Sequence, residues 1–429
     1  MVEMMKYDVA VVGGGFAGFA AAVAAARGRA RTILIEKTNS LGGAASWGLV
    51  QPFMCYGIKI DGRVTPLSRG IFEQVCGEMR KMLLEIDGIE VKSTLIGRFD
   101  EEYLKVILNR MAEEAGVELL FHCYLTGADT EDGCIRSVTV ASRNGSFAIE
   151  ADRFIDASGD ANLAYLCGCS YRLGREDGLC QPMTLNFRLA NVDPEVAKNL
   201  PKKEINALYK KFQEEGRIKN PREDVLMFIN YNEGFVHFNS TRIVRLNPTD
   251  PFDLTRAELM AREQEMELYL FMKNNIRGFE NSRLVMSGAE IGVRESRMID
   301  GEYLLTGSDL KACTMFDDSI ALGNYDIDIH NPEGSGTSHY YFKDGEYYSI
   351  PYRSLIPKNM KNLLVAGRCI SVDHDAQASV RIMPIVCTIG EAAGTAAALS
   401  LSGGTDMRDV NTTKLRAALE ENGALTRLK

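Results

Sequence analysis

None of the ten cysteines falls in a C-x-x-C pair, and the closest two, Cys167 and Cys169, are separated by one glycine. Zinc fingers, iron–sulfur clusters and thioredoxin-like redox pairs need other spacings. The thiols therefore read as buried and free in a reducing compartment, with no metal site. No basic run is present either: 49 Lys and Arg against 58 Asp and Glu leave a formal net charge of −9. That balance argues against nucleic acid or anionic membrane as partners. Long uninterrupted apolar runs are missing too. Val9 to Ala26 is broken by glycines, and Ile382 to Leu401 is rich in small residues and contains Glu391, the pattern of a buried helix rather than a span. The six residues before Tyr7 leave no room for a signal sequence, so a cytoplasmic location is expected. Internal repeats and low-complexity tracts are absent, and there are only five histidines.

What is present is the composition of an ordinary globular chain. Its 429 residues, 45% hydrophobic and 25% charged, suffice for two or three structural units. Tyr7 to Val12 (YDVAVV) reads as a buried parallel strand. Gly13-Gly14-Gly15-Phe16-Ala17-Gly18 follows at once, then an alanine-rich helix over 19–27 and a second strand at Thr32 to Ile35 that ends on Glu36. This is the setting in which a G-x-G-x-x-G pattern binds a dinucleotide. Gly13 permits the sharp turn, Gly15 leaves room for a pyrophosphate, and Gly18 lets helix and strand pack closely. The phosphates then face the positive helix N-terminus. Glu36 lies 21 residues beyond Gly15, where a carboxylate accepts from both ribose hydroxyls and repels a 2′-phosphate.

The segment Glu36-Lys37-Thr38-Asn39-Ser40-Leu41-Gly42-Gly43-Ala44 resembles the glutathione-reductase-like flavoprotein superfamily. There, a second glycine pair lies against the pyrophosphate of FAD. Two further stretches fit that outline: Ala157-Ser158-Gly159-Asp160, at the end of a strand, and Asn362 to Arg368, a late buried strand ending in Gly367-Arg368. The resemblance implies an FAD site built from Gly13, Gly15, Phe16, Ala17, Gly18, Glu36, Lys37, Gly42, Gly43, Ala44, Ala157, Ser158, Gly159, Asp160, Gly367 and Arg368. Between Val117 and Ile155, Asp132-Gly133 and Asn144-Gly145 are type I′ hairpin signals for an antiparallel meander. The fold class expected is α/β: a Rossmann-like FAD-binding domain, a parallel sheet carrying that meander, formed discontinuously by residues 1–170 and 353–429. An α+β substrate domain is inserted over residues 171–352.

Stretches in the insert, among them Gly174 to Thr184, Ile291 to Arg297 and Ile350 to Pro357, resemble a subgroup of bacterial FAD-dependent oxidoreductases. The flavin domain of that subgroup is similar to those of fumarate reductase flavoproteins and of the flavin-binding chain of heterodisulfide reductase. Leu254 to Ile276 reads as a long helix whose apolar positions, Leu259, Met266, Tyr269, Leu270 and Met272, belong to the core. The resemblance places His374 beside the flavin ring as a base. Arg381, Arg353 and Arg294 are candidate clamps for an anionic substrate; a surface histidine and structural arginines are the competing readings. His339 sits in a Gly/Ser-rich loop, at a pocket edge or simply exposed, and Tyr352 is a further candidate for proton transfer.

No second G-x-G-x-x-G unit follows Lys37, and no cysteine pair follows Gly42-Gly43, which argues against a pyridine-nucleotide disulfide reductase. The leading expectation is hydride transfer between the flavin N5 and a small organic substrate. The alternatives are an electron-transfer subunit working with a redox partner protein, and a non-redox flavin-fold enzyme similar to thiazole synthase. Assembly into a homo-oligomer stays open.

Overall fold

The computed structural model describes residues 5–428. Its first strand, Met5–Val12, lies at the centre of a seven-stranded sheet, because its apolar side chains are buried on both faces as in other parallel α/β sheets. It pairs in parallel with Thr32–Ile35 on one side and Gly145–Asp156 on the other, and Glu118–Leu120 extends the edge beyond Thr32–Ile35. Gly145–Asp156 divides its free side between two partners. Its first half takes Cys134–Ser142 antiparallel, while Phe154, Ile155 and Asp156 take Leu363, Leu364 and Val365 in parallel. The last strand among the described residues is thereby joined to the same sheet through Gly145–Asp156, one strand away from the first.

The meander Tyr124–Glu131, Cys134–Ser142 and Gly145–Asp156 is antiparallel, as expected. Its first turn has positive φ at both Asp132 (50°) and Gly133 (75°), the type I′ geometry. The second turn differs. Ser142 pairs with Gly145, and the positive φ falls on Gly145 (102°), after the two central residues Arg143 and Asn144. It is a turn closed by a glycine rather than the expected type I′ pair.

The first helix spans Phe16–Arg27, three residues longer at its start than the alanine pattern implies, and every residue from Phe16 to Ala25 is buried. Its all-round burial comes from packing against the helix Met383–Gly403. A Cβ on Gly390 would stand 2.0 Å from the Ala17 carbonyl oxygen, and one on Gly394 at the same distance from that of Ala21. Small residues on both helices let the two backbones touch. Met383–Gly403 is the one helix among the described residues long and apolar enough to cross a membrane, yet it is mostly buried inside the protein.

Between these elements the chain builds a four-stranded antiparallel sheet in the order Met227–Ile229, Val236–Phe238, Phe187–Ala190, Arg283–Ser287. Phe187, Leu189, Val236 and Phe238 pack with Tyr209, Leu268 and Phe271 from the helices Lys202–Glu214 and Pro251–Asn275. Arg188 and His237, paired across adjacent strands, point to the opposite face, where Arg188 makes a buried ion pair with Glu101. That pair ties this sheet to the helix Glu101–Glu114, which packs on the first unit. One core expectation fails. Met272 is fully buried, but Leu259, Met266 and Leu270 are 65%, 42% and 47% exposed, because the helix Pro251–Asn275 buries Ala257, Ala261, Leu268 and Phe271 instead.

Candidate functional site

Two glycine turns meet at the C-terminal end of the first strand. Gly13 takes φ 99°, and a Cβ on Gly18 would overlap its carbonyl oxygen at 1.7 Å. The helix Phe16–Arg27 therefore starts directly on the strand, and its N-cap, Gly15, offers no side chain to the first-turn N–H groups. Those donors are left for an anion. Gly42 donates its N–H to the Gly14 carbonyl at 2.8 Å, and Gly15 and Gly42 form a parallel bridge. A Cβ on Gly43 would stand 2.9 Å from the Gly15 Cα. At Gly15 itself the nearest atom to an added Cβ is 4.0 Å away, so the uncapped turn opens on free space that suits a pyrophosphate.

The other predicted cofactor segments gather here. Ala157 lies against Gly13, and Gly367 (φ 99°) against Ala17. Arg368 donates to the Gly159 carbonyl at 2.9 Å and the Val293 carbonyl at 2.8 Å, and pairs with Asp160. Asp160 also accepts from Ser296 Oγ at 2.7 Å. Ser158 is turned inward, since its hydroxyl and N–H both bond the buried Asp156. The Phe16 ring packs on Phe53 and Phe72, so only its backbone faces the turn. Ala44 is exposed beside the second glycine pair. Glu36 is buried and each carboxylate oxygen already accepts one N–H, from Gly14 at 2.6 Å and Thr38 at 2.8 Å. A ribose would have to use its remaining lone pairs. Lys37 is half-exposed and salt-bridged to Glu290 at 2.7 Å.

A second cluster forms around the short helix His374–Val380, which begins soon after Gly367-Arg368. Its start carries His374, its middle Gln377 and its C-cap Arg381. Opposite runs Arg294-Glu295: Gln377 Nε2 donates to the Arg294 carbonyl at 2.7 Å, and His374 Nδ1 donates to Glu295 Oε1 at 2.8 Å. The other Glu295 oxygen accepts from the Gln181 N–H at 2.8 Å. Burial alone would lower the His374 pKa, but the hydrogen bond and charge of Glu295 outweigh it and raise it. His374 also lines an open cleft of about 820 Å³ with residues 172–178.

Arg381 is placed differently. Its side chain is 16% exposed, its nearest opposite charge is Asp328 Oδ2 at 3.9 Å, and its Nε is buried without a partner. Asp328 Oδ1 is likewise buried without a hydrogen bond, with His339 Nδ1 facing it at 3.6 Å. Around them stand His330, whose Nε2 is 3.3 Å from Asp328, Tyr325, whose hydroxyl donates to Asp328 at 3.1 Å, and His339 at 3.6 Å. Arg242 donates to His330 Nδ1 at 3.0 Å, which leaves the ring proton on Nε2, toward Asp328. Burial drives His330 down to about 3, so it is neutral at physiological pH. Burial works to raise the Asp328 carboxyl, but the His330 hydrogen bond and the Arg381 charge overcome it and hold it far below the usual range. Arg294 is pressed well below the ordinary arginine value by burial and by Arg381, Arg222 and Arg242. Arg222, Arg242 and Arg381 face Asp224, Glu223 and Asp328, while Arg294 bonds only neutral acceptors, Pro182, Thr184 and Asn239.

Of the other candidates, Arg353 is bound to Asp318 by its Nε at 2.9 Å and lies over the Tyr303 ring, outside the Arg381 cluster. Tyr352 is buried with its hydroxyl donated to the Met407 carbonyl at 2.7 Å, a structural role. His339 sits on a strand, Thr337–Tyr340, paired with Ile327–His330, rather than in a loop. Sequence reasoning misses Asp328 and His330. Their one signal is the alternation Ile327-Asp328-Ile329-His330, which turns both polar side chains to one face of a strand.

A glycine turn running into a helix, an acid ending the second strand, and a late strand closing the sheet define a dinucleotide-binding flavoprotein fold. The chain matches the FAD dependent oxidoreductase family over residues 8–419 and belongs to it. Its cofactor is FAD. It is 28% identical over 202 residues to digeranylgeranylglycerophospholipid reductase of Thermoplasma volcanium, an alignment spanning 44% of this chain and 48%, about half, of that protein. Among solved structures it is similar to a geranylgeranyl bacteriochlorophyll reductase-like protein of Thermoplasma acidophilum, at 14% identity and TM-score 0.48 over 98% of this chain and 84% of that one. The p-nitrophenol 4-monooxygenase of Pseudomonas putida matches at 11% identity and TM-score 0.47, with coverage of 98% and 84%.

Proposed function

We propose that this enzyme moves a hydride between its flavin and a small organic anion held between Arg381 and Asp328. The observation that carries this is the Arg381 guanidinium, mostly buried and with no hydrogen bond at Nε, opposite an Asp328 carboxylate whose Oδ1 also lacks one. Buried polar groups are left unpaired in a native protein chiefly where a ligand or water completes them. FAD, when bound, supplies a two-electron acceptor or donor at its N5.

The chain's residues supply the rest. Arg381 holds a carboxylate, and Asp328, kept ionised, accepts a hydrogen bond from a hydroxyl or amine on the same substrate. Neutral His330 holds Asp328 through Nε2 without adding charge. Arg242 is saturated by Gly334, Gly336, Glu223, His330 and Thr337, so it does not compete for the substrate. His374, gripped by Glu295 through Nδ1, keeps Nε2 free to hold a proton.

In this reading, residues 1–170 and 353–429 form the cofactor unit, and residues 171–352 form a cap that brings Asp328 and Arg294 over it. The two glycine turns and the late strand support kinship with the glutathione-reductase-like superfamily, and the reducing surroundings implied by ten free cysteines support a cytoplasmic setting. The test is anaerobic mixing of the holoenzyme with a panel of small hydroxy, amino and unsubstituted carboxylic acids, followed by flavin absorbance. Bleaching by a substituted carboxylic acid is expected. A colourless protein that takes up no FAD would sink the reading, and flavin reduced only by a partner protein would make the chain an electron-transfer subunit.

A further inference from the structure

The helix Pro251–Asn275 carries a stripe on its solvent side that the fold leaves uncovered. Phe252, Leu259, Met266 and Leu270 are 84%, 65%, 42% and 47% exposed, while the opposite side of the helix is anchored through Ala257, Ala261, Leu268, Phe271 and Met272. Together with Arg256, Glu263 and Lys273, these four residues recur at alternating spacings of four and three, the heptad seam of a coiled coil. From Phe252 to Leu270 the seam runs about 27 Å at 1.5 Å per residue. Single exposed apolar residues are ordinary on a protein surface; four in one register of one helix mark an interaction site.

We infer that this face is the contact through which two copies of the chain associate, their helices packed antiparallel about a two-fold axis that meets the stripe between Leu259 and Glu263. The charged seam positions choose the occupant and the direction. Arg256 and Glu263 make no ion pair among the described residues, although both stand on the stripe. A parallel pair would set Arg256 against Arg256 and Glu263 against Glu263. An antiparallel pair sets Phe252 against Leu270 and Leu259 beside Glu263, and brings each Glu263 within one turn of Arg256 on the other copy. The seam is therefore complementary to itself only when reversed, as an isologous interface requires. A lipid surface fits it poorly, since interfacial helices keep their apolar face free of carboxylates and their polar face basic. Glu263 lies in the middle of this stripe, flanked by Glu267.

Sedimentation velocity of the holoprotein at tens of micromolar chain tests this. The expected mass is twice the 47.4 kDa of one chain, falling to 47.4 kDa in a Leu259→Lys/Leu270→Lys variant with unchanged flavin absorbance and circular dichroism. Glu263→Arg weakens association by on the order of tenfold, and adding Arg256→Glu restores it, because the swap recreates the pair across the axis. A wild-type monomer, or a dimer that survives both lysines, overturns the inference. So does self-association indifferent to Glu263→Arg, or a monomer that sediments with phosphatidylglycerol vesicles.

Discussion

The Arg381 guanidinium stands 3.9 Å from the Asp328 carboxylate, and each keeps one buried polar atom unpaired, Nε on the first and Oδ1 on the second. A pair built only to support the fold closes to hydrogen-bond distance, as Arg353 does with Asp318 at 2.9 Å. The wider gap, with His330 and Tyr325 on the Asp328 side, is where the proposed substrate would complete both partners.

Replacing Arg381 with Gln therefore separates binding from folding. FAD content and thermal midpoint stay near wild type, while the half-saturating concentration of an anionic substrate in flavin reduction rises about 10- to 100-fold, the loss of one charge-assisted hydrogen bond. An unchanged half-saturation in stopped-flow reduction would remove Arg381 from the substrate site.

Arg353→Ala is the matching control. Its partner Asp318 is mostly buried but Arg353 itself is half-exposed, so the pair is worth at most about 1 kcal/mol of stability. Flavin reduction is expected to proceed at the wild-type rate; a slowed rate would draw Arg353 back into the chemistry.

His374→Ala keeps FAD and slows its reduction by substrate. The pH profile carries the sharper test. Glu295 raises the His374 pKa against a burial that would lower it, so the reduction rate inflects above the ordinary histidine value. Glu295→Gln removes the raising group and moves the inflection to lower pH. An inflection that stays put in that variant would show that His374 is not the group titrating.

Glu391, buried in the helix Met383–Gly403, accepts the N–H of Ile71 at 2.9 Å and so caps a remote helix. Burial raises its pKa to about 7. The folded protein then holds a proton that the unfolded chain releases above about 4.5. Stability falls as pH rises from there through about 7, by on the order of 3 kcal/mol once the group is ionised. Glu391→Gln can still accept from Ile71 and should lack that slope in pH-resolved thermal melts. Parallel curves for both proteins would contradict the assignment.

Gly43→Ala tests the contact between the two glycine turns. With φ at 50° and its Cβ 2.9 Å from the Gly15 Cα, the new methyl must push the turns apart. FAD affinity is expected to fall tenfold or more, since an order of magnitude is only about 1.4 kcal/mol. Titration of the apoprotein with FAD reads it directly, and undiminished affinity would mean the turns do not grip the cofactor together.

The amino-acid sequence by itself determined the cofactor. Dinucleotide recognition is local: Gly13, Gly15, Gly18 and Glu36 lie within one βαβ stretch of 24 residues, the glycines dictated by backbone geometry and Glu36 by its carboxylate, both legible from residue type. The meander was legible for the same reason, apart from its second turn, where two turn types share the same Asn-Gly signature. Tertiary structure decided what depends on contacts across the chain. Asp328, His330 and Arg381 come from a hairpin and a helix about fifty residues apart, and only packing shows which arginine is saturated and which is free. Packing likewise decided which face of Pro251–Asn275 is buried. Apolar residues lie on both sides of that helix, and periodicity cannot say which stripe the core took and which was left exposed.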